Sequence, residues 1–269
     1  MADADKVFSG SIAQFYDDYM VPLIFADFAR HTAAKVAALA PRSVLETAAG
    51  TGVVTRALAP QLHADARYVV TDLNQPMLDH AGLKQDADAR IEWLRADALA
   101  LPFPDASFDV VCCQFGAMFF PDRAAGFREA RRVLRPDGSF IFAVWDRIED
   151  NVFADVVTNA LAERFPKDPP AFLARTPHGY HDEALIRSDL TKAGFTNVVI
   201  ERRTETSRAP TAHEVAIAKC QGTPLRNEIE ARDPGGLAAA TDHAAAAIER
   251  AFGSGPVEAK IQALIVTAR

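Results

Sequence analysis

The chain has 269 residues, of which 49% are hydrophobic and 24% are charged, and this composition excludes collagen-like, disordered and disulfide-scaffold proteins. Its 29 Lys and Arg residues against 36 Asp and Glu residues give a formal net charge of −7. A mildly acidic chain lacks the basic surface expected of a protein whose main partner is nucleic acid.

The first half alternates short β-branched runs with helical patterns, which predicts a parallel sheet flanked by helices. One helix begins at Val53 and stops at Pro60, a second opens at Pro76, and an amphipathic helix at 123–134 is closed by a turn at 135–138. The predicted strands of this half are 43–47, 67–71, 91–95, 108–115 and 139–145.

The second half is mainly helical, and prolines separate its helical segments. Residues 151–184 begin as a helix and continue as a proline-rich loop, and 208–256 are again helical. A helix at 183–193 leads to a sixth strand at 197–204, and the apolar run 261–267 is predicted as an edge strand. The pattern predicts a doubly wound, mostly parallel α/β sheet of seven strands.

A turn of small residues follows the first predicted strand. It reads Glu46-Thr-Ala-Ala-Gly-Thr-Gly52, and the second strand ends at Asp72, 20 residues beyond Gly52. Small residues let the backbone pass close to a ligand, and a carboxylate after the second strand can accept hydrogen bonds from ribose hydroxyls. This pattern indicates a nucleotide-type cofactor but is shared with NAD enzymes.

Two further residues argue against NAD. Thr55 stands where the dinucleotide fingerprint has its third glycine, and Asp97 follows the third predicted strand. In a sheet of order 3-2-1-4-5 the third strand ends about 10 Å from the first, so a ligand with its ribose at Asp72 would place a base near Asp97. A carboxylate suits the exocyclic amine of adenine, and the site is interpreted as an adenosine cradle.

At these residues the chain resembles the class I S-adenosylmethionine-dependent methyltransferases, particularly the small-molecule group with the quinone-biosynthesis enzymes. The resemblance spans about residues 10–145. Two positions depart from the family pattern: Ala48 replaces the usual first glycine of the turn after the first strand, and Asp137 replaces the first glycine of the usual Pro-Gly-Gly before the fifth strand. It lies in the segments 44–52 (VLETAAGTG), 72–77 (DLNQPM), 97–103 (DALALPF), 107–109 (SFD) and 132–138 (RVLRPDG).

The resemblance implies a Rossmann-like fold with an antiparallel last strand and a site for S-adenosylmethionine. It implies that the turn with Glu46, Thr47, Ala48 and Gly50 holds the methionine end, below Tyr16. Asp72 would bind the ribose. The adenine would lie between Leu73 or Met77 and the Asp97–Ala98 segment, and the sheet-edge position of Gln114 and Phe115 favours a ligand contact.

The implied division has a cofactor-binding core at 1–150, completed by a core helix and strands at 185–204 and 258–269. Helical substrate-lid insertions would lie at 151–184 and 205–257. The expected reaction is in-line methyl transfer to an oxygen, nitrogen or carbon nucleophile of a small molecule. Two alternatives stay open: a cofactor-binding or regulatory protein without turnover, and a methyltransferase acting on a protein or nucleic acid.

Other chemically active residues are given structural roles. The adjacent Cys112 and Cys113 and the distant Cys220 match no disulfide or zinc spacing, so core packing in a reducing compartment is expected, without a metal. The acidic segment 1–6 and the absence of a long apolar run predict a cytoplasmic protein without a membrane span. Asp109 is predicted as a structural turn residue.

Two clusters of side chains each have two alternative interpretations. Met118, Phe119 and Phe120 suit a pocket wall and the core equally. His178, Tyr180 and His181 are predicted to lie in a solvated loop, with a substrate-side base as the alternative. The sequence predicts neither the acceptor nor the oligomeric state.

Overall fold

A computed structural model describes residues 15–269, so the acidic segment 1–6 and the first 14 residues of the predicted core lie outside the described residues. The strands are β1 Ser43–Glu46, β2 Arg67–Asp72, β3 Ile91–Arg95, β4 Phe108–Gln114, β5 Leu134–Trp145, β6 Val198–Ala209 and β7 Val257–Ala268. The helices are α1 Tyr16–Phe25 (π-helical), α2 Ala26–Ala37, α3 Val53–Leu58, α4 Gln75–Lys84, α5 Arg123–Val133, α6 Val152–Arg164, α7 Phe172–Arg175, α8 Glu183–Lys192, α9 Ala212–Gln221, α10 Leu225–Arg232 and α11 Leu237–Phe252.

The seven strands form one sheet of order β3-β2-β1-β4-β5-β7-β6, and β1 to β5 are parallel. β7 runs antiparallel to both neighbours, which confirms the doubly wound sheet with an antiparallel last strand. The prediction that this strand lies at the edge is wrong: β6 is the edge strand. Because most of β7 is buried, whereas β6 carries mainly exposed polar side chains, the inner position suits β7.

Three predicted boundaries need correction. β6 continues to Ala209, where it pairs with Val257 at the start of β7, so residues 205–209 and 257 are strand and not helical insertion. The predicted turn at 135–138 lies within β5, where the pairing with β4 shifts register between Phe108 and Val110. The turn residues are therefore a local irregularity of the strand.

The sheet is covered by apolar side chains on both faces. Cys112 packs in the cluster with Ala33, Val36 and Leu58, whereas Cys113 packs in the larger cluster that includes the helices of the second half. Both thiols are buried and free, which confirms their predicted packing role. α11 packs against α9 and α6, as its alanine-rich sequence predicts. Between residues 15 and 269, no helix has the length and hydropathy needed to cross a bilayer.

Candidate active site

A cavity of about 160 Å³ opens at the carboxyl ends of the parallel strands. Thr47 does not line it, because its N–H and hydroxyl are both directed to the carbonyl of Cys112, at 2.9 and 3.5 Å. The other predicted cofactor residues all line this first cavity: Tyr16, Glu46, Ala48, Gly50, Asp72, Leu73, Met77, Asp97, Ala98, Gln114 and Phe115.

The turn after β1 has three residues with left-handed backbone conformations. The φ angles are 53° at Ala48, 57° at Gly50 and 78° at Gly52. At Gly50 no atom lies within 4 Å of the position that a Cβ would occupy, so the backbone there borders open space. Ala48 has a side chain at a backbone conformation that favours glycine, so this position is strained. Gly116 has no room for a side chain, because a Cβ there would collide with the Cβ of Ala48.

Asp72 ends β2 with its side chain buried against this turn. Its Oδ2 accepts a hydrogen bond from the Gly50 N–H, and its Oδ1 accepts one from the Asn74 N–H, both at 2.8 Å. Burial raises the pKa of the carboxyl, and the hydrogen bonds from Asn74 and Gly50 oppose that rise. A carboxylate has about four acceptor sites, so two backbone donors leave capacity for a ligand diol.

Glu46 is a buried carboxyl group at the end of β1. Its Oε2 accepts hydrogen bonds from Tyr68 and, at 2.8 Å, from Thr55. Burial raises the Glu46 pKa to about 7, although the hydrogen bonds from Tyr68 and Thr55 lower it. Across residues 15–269 no donor reaches Oε1, so Glu46 has an acceptor atom available to a cationic group.

Strand pairing brings Asp97 beside Asp72. Asp72 pairs with Arg95 at the end of β3, and the Ala96 N–H donates to the Asp72 carbonyl at 3.1 Å. Asp97 Oδ1 accepts the Leu99 N–H at 2.9 Å, which fixes the segment after the strand. The register of β2 and β3 therefore places the Asp72 and Asp97 carboxylates at the same edge of the sheet, at the ends of adjacent strands.

The carboxyl end of β4 supplies an amide and an aromatic wall. Gln114 accepts a hydrogen bond from the Thr32 hydroxyl at 2.9 Å and donates to the Phe25 carbonyl at 3.4 Å. Phe115 has a φ of 54° and stacks on Trp145 with ring centroids 3.8 Å apart. The left-handed backbone turns the Phe115 ring away from the strand direction and onto the aromatic side of the cavity.

Helix α1 is tied over the cavity by Asp17. This carboxylate lies 3.3 Å from Arg56 of α3, and 3.2 and 3.4 Å from His80 and Lys84 of α4. Burial opposes ionisation of Asp17, but the hydrogen bond with His80 and the charge of Arg56 leave its pKa below the ordinary value. The contacts hold Tyr16 at the cavity, and burial raises the pKa of Tyr16 well above its ordinary value.

A second cavity of about 60 Å³ adjoins the first, and the two share Tyr16, Phe25, Phe115 and Phe119 among their lining residues. Lys219 and His178, which are 5% and 4% exposed, also line the second cavity. Its remaining lining residues are Met20, Ile24, Trp145, Phe172, Leu173, Pro177, Thr223 and Pro224.

The prediction of a solvated loop at 178–181 is wrong for two of its three residues. His178 and Tyr180 are buried, because the loop is anchored by a hydrogen bond from Tyr180 to Asp189 and by stacking of Arg123 on the Tyr180 ring. His181 is exposed, as predicted. Of the aromatic cluster after β4, Met118 is a core residue, whereas Phe119 and Phe120 line the first cavity.

Asp109 has the predicted structural role, although it lies within β4 and not in a turn. Its Oδ2 accepts the N–H groups of Arg42 and Ser43, each at 2.8 Å, and Arg135 pairs with its Oδ1. The hydrogen bond from Arg135 and those from Arg42 and Ser43 outweigh burial and lower the pKa of Asp109. It therefore holds the N-terminal end of β1 against β4, at the edge opposite the cavity.

Sequence analysis missed Lys219, although a signal was present. Ala212, Val215, Ala216 and Lys219 have the i, i+3, i+4, i+7 spacing of one helix face, and all four are buried on α9. A lysine in the apolar stripe of a helix marks a position that packing alone does not explain.

Comparisons with known proteins agree with this geometry. A family model described as "Methyltransferase domain" matches residues 45–142. The ubiquinone/menaquinone biosynthesis C-methyltransferase of Hahella chejuensis is 38% identical over 206 residues, covering 71% of this chain and 82% of the relative. The demethylmenaquinone methyltransferase of Clavibacter sepedonicus is 30% identical over 176 residues, covering 62% and 71% of the two chains. A crystal structure from Bacillus halodurans C-125 shares the fold, with a TM-score of 0.57, 20% identity, and 89% and 97% coverage.

Proposed function

This chain belongs to the class I S-adenosylmethionine-dependent methyltransferases, in the group with the quinone-biosynthesis enzymes, and from that premise we propose that it methylates a small-molecule acceptor. One observation carries the proposal: Asp72 and Asp97, at the carboxyl ends of adjacent parallel strands, line one cavity with the left-handed turn at Gly50.

The residues of the first cavity fit S-adenosylmethionine. Asp72 has acceptor capacity for the two ribose hydroxyls, and Asp97 lies one strand further along for the exocyclic amine of adenine. Leu73 and Met77 supply apolar surface for the base. Glu46 Oε1 suits the ammonium group of the methionine end, which the open backbone at Gly50 can approach closely.

When bound, S-adenosylmethionine supplies an electrophilic methyl group on its sulfonium. The protein then has to align a nucleophile and exclude water. Gln114 is held by Thr32 and the Phe25 carbonyl, and the Phe115 ring is held by Trp145, so this wall is preorganised. Tyr16 lines the same cavity, and its neighbour Asp17 is ion-paired with Arg56 and His80.

We assign the acceptor side to the helical segments of the second half. Residues of α7 and of the loop before α8, from the segment 151–184, line the second cavity together with Lys219 of α9, from the segment 205–257. These segments, without the strand residues 205–209 and 257, therefore act as the substrate lid over the core formed by residues 15–150, 185–209 and 257–269. A small, mostly apolar cavity suits a small apolar acceptor better than a protein or nucleic-acid chain, and the relative from Hahella chejuensis is named for ubiquinone/menaquinone biosynthesis.

Calorimetry with S-adenosylhomocysteine, the demethylated cofactor, tests the proposal. Asp72→Asn should weaken its binding by about 1.5–3 kcal/mol, the scale of a hydrogen bond to a charged group. Asp65→Asn, at an exposed carboxylate outside the first cavity, is the matched control and should bind normally. The cofactor should raise the melting temperature, whereas NAD should not. A folded Asp72→Asn protein with unchanged affinity, or a shift with NAD alone, would refute the assignment.

A further inference from the structure

We propose that the second cavity is an acceptor subsite in which Lys219 binds an anionic oxygen, a carboxylate or an ionised phenol, carried on a small apolar frame. This inference rests on the proposed function and adds the chemical class of the acceptor. Its starting point is a buried lysine that packing does not explain.

Lys219 is an unpaired cation in apolar surroundings. It is 5% exposed, and in the part of the chain that the structure describes no carboxylate lies within ion-pairing distance of its ammonium group and no hydrogen bond reaches it. Buried charges in proteins are paired almost without exception, because the loss of hydration is otherwise uncompensated. A ligand with a negative charge would supply the missing partner.

His178 faces the same cavity as a neutral side chain. Its Nδ1 lies 2.9 Å from the carbonyl oxygen of Asp146, and since a carbonyl can only accept, Nδ1 carries the proton. Nε2 is then an unprotonated acceptor, and residues 15–269 provide it with no donor. Burial lowers the pKa of His178 to about 3, so the imidazole does not compete with Lys219 for the anion.

The position of the cavity connects this pair to methyl transfer. Tyr16, Phe25, Phe115 and Phe119 line both cavities, so a molecule at Lys219 is bounded by the same aromatic side chains as the cofactor site. Phe172, Leu173 and Trp145 supply flat apolar walls. The combination of aromatic walls, one cation and one neutral acceptor atom selects an apolar ring that carries an acidic oxygen.

The protonation state of the bound oxygen decides whether His178 takes part in binding. A protonated phenol can donate its proton to Nε2 while its oxygen accepts from Lys219. An ionised phenol or a carboxylate has no such proton and depends on Lys219 alone. Loss of the His178 acceptor should therefore weaken the binding of a protonated phenol and leave the binding of an ionised phenol or a carboxylate unchanged.

The test uses simple probes with the intact protein, alone and saturated with S-adenosylhomocysteine. Benzoate, its uncharged analogue benzamide, and 4-nitrophenol are titrated by calorimetry into the wild type, Lys219→Met and the control Lys167→Met. Lys167 is an exposed lysine between α6 and α7. We expect Lys219→Met to lower benzoate and nitrophenol affinity at least tenfold, and benzamide and the control to be unaffected. His178→Phe, titrated with 4-nitrophenol at a pH where the phenol keeps its proton, then separates the phenol from the carboxylate.

The outcomes are distinguishable. If S-adenosylhomocysteine binds but neither anion does, or if Lys219→Met binds the anions as the wild type does, the subsite is refuted while the proposed function stands. If S-adenosylhomocysteine itself does not bind, the proposed function fails. Circular dichroism of each variant shows whether it is folded, and Lys219→Arg, which retains the charge, should recover part of the anion affinity.

Discussion

Replacement of Lys219 by methionine should stabilise the protein, an unusual result for a buried position. Burial alone lowers the Lys219 pKa from 10.5 to about 8. A tenfold change in proton affinity corresponds to about 1.4 kcal/mol, so the charged form costs the folded state about 3 kcal/mol at neutral pH. Methionine has a similar length and no charge, so Lys219→Met should raise the free energy of unfolding by up to about this amount.

The pH dependence isolates the charge from changes in packing. Below pH 8 both folded and unfolded states hold the Lys219 proton, and the full cost is present. Between pH 8 and 10.5 the unfolded state binds more protons, so the wild type gains stability and the advantage of Lys219→Met disappears. The neighbouring His178 and Tyr16 stay uncharged over this range, because burial lowers the pKa of the first and raises that of the second.

Urea unfolding of both proteins at pH 7, 9 and 10.5, followed by circular dichroism, measures the effect. Lys167→Met, at an exposed position, should match the wild type at every pH. The reasoning is refuted if Lys219→Met is no more stable than the wild type at pH 7, or if its advantage is the same at pH 7 and 10.5.

The remaining predictions concern the turn after β1. Glu46 has a pKa of about 7 and must ionise to bind an ammonium group, so S-adenosylhomocysteine affinity should fall by up to about tenfold per pH unit below pH 7. Glu46→Gln should abolish this pH dependence. Calorimetry at pH 6 to 8 measures it, and a flat wild-type profile would contradict the prediction. Ala48→Gly should relieve the strain of the left-handed backbone and raise the free energy of unfolding, measured in urea, by about 0.5–1 kcal/mol. Ala49 has no positive φ, so the control Ala49→Gly should lower the free energy of unfolding. Equal effects of the two substitutions would count against strain at Ala48.

Much of the cofactor half could be predicted because its determinants are local in sequence. Glu46 and Asp72 are the last residues of β1 and β2, and Asp97 lies two residues beyond β3. Once these strands are predicted to be parallel and adjacent, their carboxyl ends must meet. The family resemblance also implies Thr47, which does not line the cavity because its hydroxyl is directed to the Cys112 carbonyl. A sequence motif predicts where a turn lies, but it does not predict which of the turn's side chains point into the site.

The acceptor half could not be predicted in this way. The order of β7 and β6 depends on which strand buries more of its surface. The buried Tyr180 is held by Arg123 and Asp189, which are distant in sequence from one another. A polar loop sequence therefore became part of the interior through tertiary contacts. Such contacts carry no short-range signal that a strand or turn pattern could register.

The two halves of the site also differ in how they use charge. Before any ligand arrives, the Glu46 carboxyl group accepts two hydrogen bonds from the protein and the Asp72 carboxyl group accepts three, so their geometry is set by the fold. Lys219 receives no such support, and its free energy cost is offset only when an anion binds. A lysine that lowers the stability of the unliganded protein and repeats the apolar spacing of α9 is best explained by selection for a bound partner. The stability and anion-binding measurements on Lys219→Met should therefore move in opposite directions.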